Sequence, residues 1–379
     1  MTPFEGLLFF IVLAALLIPA ALLGLFEKKL KWYGCVVTVA FLLLFFDTWE
    51  KRATLAVLYV LELLCVQIYL QIRKKCSKRF VLWIFLLVSL APLATIKLGG
   101  IFETLNFIHL LGISYMSFRA AQTLIETYDG LIKEINIFDF SYFLLFFPSI
   151  SSGPVDRFRR FTADLEAKPT RAEYIEMLKQ GVWKLLWGAL FNFVIGNLIW
   201  RLWISPLADS GFLPTLLYMY GYTFFLFFNF AGYSLMAIGV AYILGVKVPE
   251  NFNMPFFSRD MKEFWSRWHI SLSTWLRDYV YTRFVSAALK KDWFKDRRTS
   301  SYIGYAITML TMGIWHGLTP AYLIYGAYHG ILMCGNEILD TRWKRFKKLK
   351  KGKISEMLLI IITFHLFSFG LLIFSGRII

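Results

Sequence analysis

Apolar runs long enough to cross a bilayer alternate with short basic segments along most of this chain. About 20 apolar residues span the hydrocarbon core of a membrane. Residues 7–26, 30–46, 53–72 and 80–98 form four such runs, and residues 182–204 and 213–244 form two more. Between 105 and 258 the pattern is less regular. In "LGISYMSFRAAQTLIETYDG" (residues 111–130), Arg119, Gln122 and Glu126 recur at helical spacing and make one polar stripe. Lipid cannot solvate such a stripe, so it must face protein or water. In "FFPSISSGPVDRFRRF" (residues 146–161), Pro-Ser and Gly-Pro steps interrupt the helix beside Asp156, Arg157, Arg159 and Arg160. That pattern predicts a re-entrant or cavity-lining loop, with a plain cytoplasmic turn as the alternative. In "FNFAGYSLMAIGVAYILG", Asn229, Gly232, Ser234 and Gly239 are residues that let membrane helices approach closely.

The densest polar run in the second half is "KEFWSRWHISLSTWLRDYVY" (residues 262–281). Asp260 followed by Glu263 has the spacing of a capping box and predicts a helix start. Glu263 and Arg267 stand i, i+4 in the favourable order for a helix ion pair. A continuous helix places Trp265, His269, Leu272 and Leu276 on one face, and Trp268, Ser271 and Trp275 on the next. The run is too polar for lipid, which predicts either an interfacial helix or one that lines a wet cavity inside the protein. A second histidine, His316, ends an apolar helix in "TMGIWHGLTP", where Gly317 and Pro320 stop it. Ionisable residues at membrane depth are costly and are functional candidates, and imidazole moves protons near neutral pH. His109, His329 ("GAYHGIL") and His365 ("ITFHLF") also lie in apolar segments, where packing is the simpler reading.

Composition sharpens this picture. Only 17% of residues are charged, against roughly 25% in soluble domains. The net charge of +16 would suit a nucleic-acid binder, but the basic residues cluster between apolar runs, so no nucleic-acid partner is expected. Clusters at 28–31, 73–79, 157–160, 290–298 and 342–353 are expected in the cytoplasm, which puts the N-terminus outside. The first run does not read as a cleavable signal peptide, since Glu5 precedes it and Lys28, Lys29 and Lys31 follow it. The four cysteines are scattered, without metal-ligand spacing. The pattern predicts an all-α, polytopic integral membrane protein forming a single domain over residues 1–379.

The run "FWSRWHISLSTWLRDYVY" followed by "GIWHG" resembles the signature of the membrane-bound O-acyltransferase family. The resemblance implies a bundle of roughly 10–12 helices around a central chamber or funnel. It implies that His316 is catalytic, with His269 beside it, and that Trp265, Trp268, Ser273, Arg277, Asp278, Trp315 and Asn229 line or support the chamber. "SSGPVDRFRRF", "LGISYMSFRA", "NFAGYS" and "FSRDMKEFWSRWH" resemble the family branch that D-alanylates teichoic acids in Gram-positive envelopes. Asn229 departs from that branch, where an aspartate is expected. The alginate O-acetyltransferases share "WHISLSTWLRDY", but here "VYTRFVSAALKK" continues as a helix.

The implied donor is D-alanine held as a thioester on the phosphopantetheine arm of an acidic cytoplasmic carrier protein, with no permanently bound cofactor and no metal. The implied acceptor is a hydroxyl, on teichoic acid or on a small membrane or extracellular relay protein. Val285, Leu289 and Trp293 beside Lys290 and Lys291 suit docking of that carrier, or else form an ordinary amphipathic helix end. An O-acetyltransferase for another exported polysaccharide and a proton-coupled transporter are the competing readings. The plasma membrane is the expected location.

Overall fold

Most of the chain is helical because peptide groups in a bilayer find no water to bond, and a helix satisfies them within one segment. The computed structural model describes residues 1–99, 111–343, 346, 349–350 and 352–379. His109 lies outside the described residues. Among the described residues there is no β-strand, only an isolated bridge between Phe252 and Trp268.

Two compact units emerge, residues 1–190 with 232–249, and residues 191–231 with 250–379. The first contains α1 (Leu7–Leu25), α2 (Lys31–Phe45), α3 (Trp49–Lys75), α4 (Arg79–Gly99), α5 (Ile113–Tyr128), α6 (Ile137–Leu145), α7 (Phe158–Glu166) and α8 (Arg171–Ala189). Beyond α8 the chain continues through π-helical turns, Leu190–Gly196 and Ile199–Ile204, into α9 (Phe212–Ile243). The second unit contains α10 (Met261–Arg267), α11 (Ile270–Leu276), α12 (Thr282–Lys290), α13 (Arg297–His316), α14 (Pro320–Arg342) and α15 (Lys353–Phe374).

Among the described residues, six helices are long and apolar enough to cross a membrane: α1, α3, α4, α8 with its π-helical extension, α9 and α15. Five of them match apolar runs of the sequence, α15 is added, and the run 30–46, expected to be long enough to span, forms the shorter α2. Large apolar side chains stand on their outer faces, such as Leu7, Phe80 and Phe212. This is a multi-pass membrane protein. α2 has 15 residues, about 22 Å at 1.5 Å per residue, which is short of a hydrocarbon core. The glycines of α8 and α9 pack as the small-residue pattern implies: a Cβ at Gly239 would lie 2.5 Å from the Gly181 carbonyl oxygen.

The polar stripe of α5 turns to protein rather than water. Arg119 is 1% exposed. It donates to the carbonyls of Phe143 (2.8 Å), Leu144 (3.0 Å) and Ser149 (2.8 Å), and to Ser149 Oγ (2.6 Å). Gln122 Nε2 donates to the Asp156 carbonyl (2.8 Å), and Arg159 pairs with Glu126 (3.0 Å). The interrupted segment after α6 includes a 3-10 turn, Phe147–Ser149, and stretches that are extended. The α5 stripe supplies the partners that its loose carbonyls lack.

Replacing Arg119 by Leu leaves several buried carbonyls without a donor, each worth ~1–3 kcal/mol. Arg119→Leu is expected to lower thermal stability in detergent by at least about 3 kcal/mol on that scale. A melting midpoint equal to that of the unsubstituted protein would contradict the role given to the stripe.

Candidate active site

The polar run 262–281 is not one helix. α10 ends at Arg267, and His269 takes a left-handed conformation (φ 44°, ψ 52°) before α11 begins. A non-glycine residue there carries strain of ~1–3 kcal/mol, which its surroundings must hold. Residues 251–253 do so. Asn253 N donates to the Arg267 carbonyl (2.9 Å), and Ile270 N donates to the Asn251 carbonyl (2.9 Å). Ser271 N donates to Asn251 Oδ1 (3.2 Å), so Asn251 serves the free amides at the start of α11 from a distant part of the chain. The Asn251 side chain is buried. The break means that Trp265 and His269 do not share one helical face with Leu272 and Leu276, as a continuous helix would require.

α10 is fixed by charge. Asp260 caps it by accepting from Glu263 N (2.8 Å). The Glu263 carboxylate accepts from Arg259 N (2.9 Å) instead of closing the box on Asp260, and pairs with Arg259 (2.9 Å) and Arg267 (2.6 Å). Lys262 pairs with Glu337 and Asp340 on α14, and Lys350 pairs with Asp260 and Asp340. Met261 N donates to Asn336 Oδ1 (2.9 Å). Much of the charge that marks this run therefore anchors a short helix.

The two histidines flank one indole. The Trp315 ring lies 6.2 Å from His269 and 4.5 Å from His316, between centroids. His269 is buried, its ring edge-on to Phe230 at 4.7 Å, and its Nε2 has no hydrogen-bond partner among the described residues. His316 ends α13 as the sequence predicts, and Pro320 opens α14. The two helices meet closely there, since a Cβ at Gly313 would lie 2.5 Å from the Tyr322 carbonyl oxygen. The His316 ring packs against Phe374 (4.9 Å), Tyr322 (5.9 Å) and Tyr325 (6.1 Å).

A cavity of about 300 Å³ opens beside this pair. Trp265, Ser273 and Arg277 line it, with Lys262, Tyr281 and Tyr305, and Met309, Met312 and Met333 add apolar wall. α11 and α13 bound it through Leu272 and Met312, and the same helices hold His269 and His316 at their ends. The histidine rings themselves lie outside the lining. Of the charged groups in 262–281, only Lys262 and Arg277 border the cavity.

The remaining sequence candidates fall behind or beside this centre. Trp268 is buried against Phe252 (5.0 Å), Phe264 (5.7 Å) and Phe367 (4.8 Å), as backing for the His269 turn. Ser273 Oγ donates to the Trp268 carbonyl (3.1 Å). Asp278 pairs with Arg277 (2.9 Å). Asn229 contributes its carbonyl, which accepts from Asn192 Nδ2 (3.0 Å) in the π-helical turn. Leu289, Lys290, Lys291 and Trp293 are exposed around the end of α12, while Val285 is half-buried against Gly304 of α13. α12 itself runs on from a π-helical turn, Arg277–Tyr281, as the helical continuation predicts. Among the described residues, no three of His, Cys, Asp and Glu are placed to hold a metal. Sequence reasoning missed Asn251, whose local signal is only that of a loop residue.

An imidazole pair over an indole, beside an apolar cavity with cations on its wall, is equipped for proton transfer during group transfer. The chain is 41% identical over 389 aligned residues to "Teichoic acid D-alanyltransferase" of Bacillus subtilis (strain 168), covering 100% of this chain and 98% of that one. It is 38% identical to the protein of the same name in Streptococcus thermophilus, over 99% of this chain and 95% of that one. "Probable alginate O-acetylase" of Pseudomonas putida is 34% identical over 63% of this chain and 48% of its own length. The model of MBOAT, the membrane-bound O-acyltransferase family, matches residues 79–376, a span that holds both histidines, the cavity and α12. The chain belongs to the membrane-bound O-acyltransferase family.

Proposed function

We propose that this protein transfers D-alanine from the phosphopantetheine thioester of an acidic cytoplasmic carrier protein to a hydroxyl acceptor, for D-alanylation of teichoic acid. The observation that carries the reading is the His269–Trp315–His316 arrangement in a chain that is alike, end to end, to teichoic acid D-alanyltransferases. In this reading His316, in its neutral form, takes the proton of the acceptor hydroxyl. The oxygen attacks the thioester carbonyl carbon, the C–S bond breaks, and sulfur leaves as the thiolate and is then protonated. The transfer consumes no net proton. His269, held in its left-handed turn, orients the acceptor or polarises the carbonyl.

The cavity suits a slender donor arm, with methionine and leucine side chains for its stem, hydroxyls for its amides, and Lys262 and Arg277 for its phosphate. Lys290 and Lys291 would steer an acidic carrier, and Leu289 and Trp293 would supply the apolar contact. Val285, packed on α13, would hold the docking helix rather than meet the carrier. The acceptor is teichoic acid itself or a small relay protein, and the protein works in the plasma membrane with its N-terminus outside. The partial likeness to an alginate O-acetylase favours one second reading, an acetyl donor with another exported polysaccharide.

In membranes supplied with labelled D-alanyl carrier and acceptor, His316→Ala is expected to cut transfer by at least ~10²-fold, the usual loss of a positioned base. Transfer within a few-fold of the unsubstituted rate would remove His316 from that role. If the intact protein consumes acetyl donors and leaves D-alanyl carrier untouched, the second reading stands instead. Leu289→Asp is expected to weaken carrier binding by about tenfold or more, through loss of an apolar contact and like-charge repulsion. Unchanged binding would move the docking surface away from α12.

A further inference from the structure

His329 is read from sequence as a packing residue, and its surroundings do not fit that role. It is 0% exposed on α14, and neither Nδ1 nor Nε2 has a hydrogen-bond partner among the described residues. Aromatic rings enclose it: Tyr325 at 4.6 Å, Trp265 at 5.2 Å, Tyr328 at 5.3 Å and Phe367 at 6.1 Å. Gly370 closes another side, where a Cβ would lie 2.5 Å from Nε2. The Tyr328 hydroxyl is already committed to the Leu366 carbonyl (2.8 Å). A phenylalanine would fill such a shell without stranding polar atoms, since buried donors and acceptors that stay unpaired are costly.

Trp265 Nε1 is also buried without a hydrogen-bond partner among the described residues. An indole N–H can only donate, and a neutral imidazole always has one nitrogen that accepts. The two rings already stand edge-on, 5.2 Å apart with an 85° interplanar angle. A rotation of either ring that brings the N–H onto the imidazole would give Trp265 Nε1 an acceptor and the unprotonated nitrogen of His329 a donor. Trp265 also lines the 300 Å³ cavity, so the pairing would fix one of its walls.

We propose that His329 is a positioning residue for acyl transfer: it accepts a hydrogen bond from Trp265 when the donor occupies the cavity, and so sets the wall against which the thioester is held. This rests on the assignment of the cavity to the donor arm. Its signature is a change in donor KM rather than in the rate at saturation.

The test is a titration of D-alanyl carrier against membranes bearing the unsubstituted protein, His329→Phe, His329→Gln, Trp265→Phe and the double variant His329→Phe/Trp265→Phe. His329→Phe is expected to raise KM about tenfold, the weight of one good hydrogen bond, with kcat held within about threefold. His329→Gln, whose amide oxygen still accepts, is expected to keep KM within about threefold. The double variant is expected to be no worse than the poorer single one, as for two halves of one contact. Unchanged KM in His329→Phe, equal losses in Phe and Gln, or additive losses in the double variant would each overturn the proposal. Absence of D-alanyl transfer by the unsubstituted protein would instead overturn the donor assignment on which it rests.

Discussion

Inside a bilayer a peptide group must find its hydrogen-bond partner in the protein, and the architecture follows from that requirement. Helices meet it by themselves. Two buried places among the described residues where the chain departs from helix need outside help, and each has it. After α6, the carbonyls left by an interrupted helix are taken up by one guanidinium, Arg119. Between α10 and α11, the amides left by the turn at His269 are taken up by Asn251, through its carbonyl and its side chain. In both cases a buried polar residue is a repair to the backbone. Only the second repair also places a candidate for chemistry.

That distinction changes the meaning of the charged run 262–281. Lys262 and Glu263 hold a seven-residue helix in place by ion pairs with Glu337, Asp340 and Arg259, and Arg267 pairs with Glu263 within it. α10 is too short to be stable alone. Anchored in this way it brings Trp265 to the cavity and delivers the chain to the strained turn. The charge serves the site mostly by building it, and only Lys262 and Arg277 face the space where a donor would lie.

Length and hydropathy made the spanning helices legible, since both are properties of a single segment. The end of α13 was legible because Gly317 and Pro320 mark it within a few residues of His316. The break at His269 was not, because histidine carries no local signal for a left-handed turn and its support arrives from residues 251–253. Asn229 reads as a polar side chain in a helix, yet what it gives the structure is its carbonyl. His329 was passed over for a related reason. Sequence shows an imidazole in an apolar helix, and only the packed structure shows that its nitrogens find no partner among the described residues.

In the proposed reaction, the turn held by Asn251 sets His269 for acyl transfer. The direct measurement is the D-alanyl transfer rate of Asn251→Ala in reconstituted vesicles, with its melting midpoint measured on the same sample. The expected rate is lower by about tenfold or more, as for a displaced active-site group, in protein that remains folded. A folded Asn251→Ala protein that works at the unsubstituted rate would contradict that role of the turn.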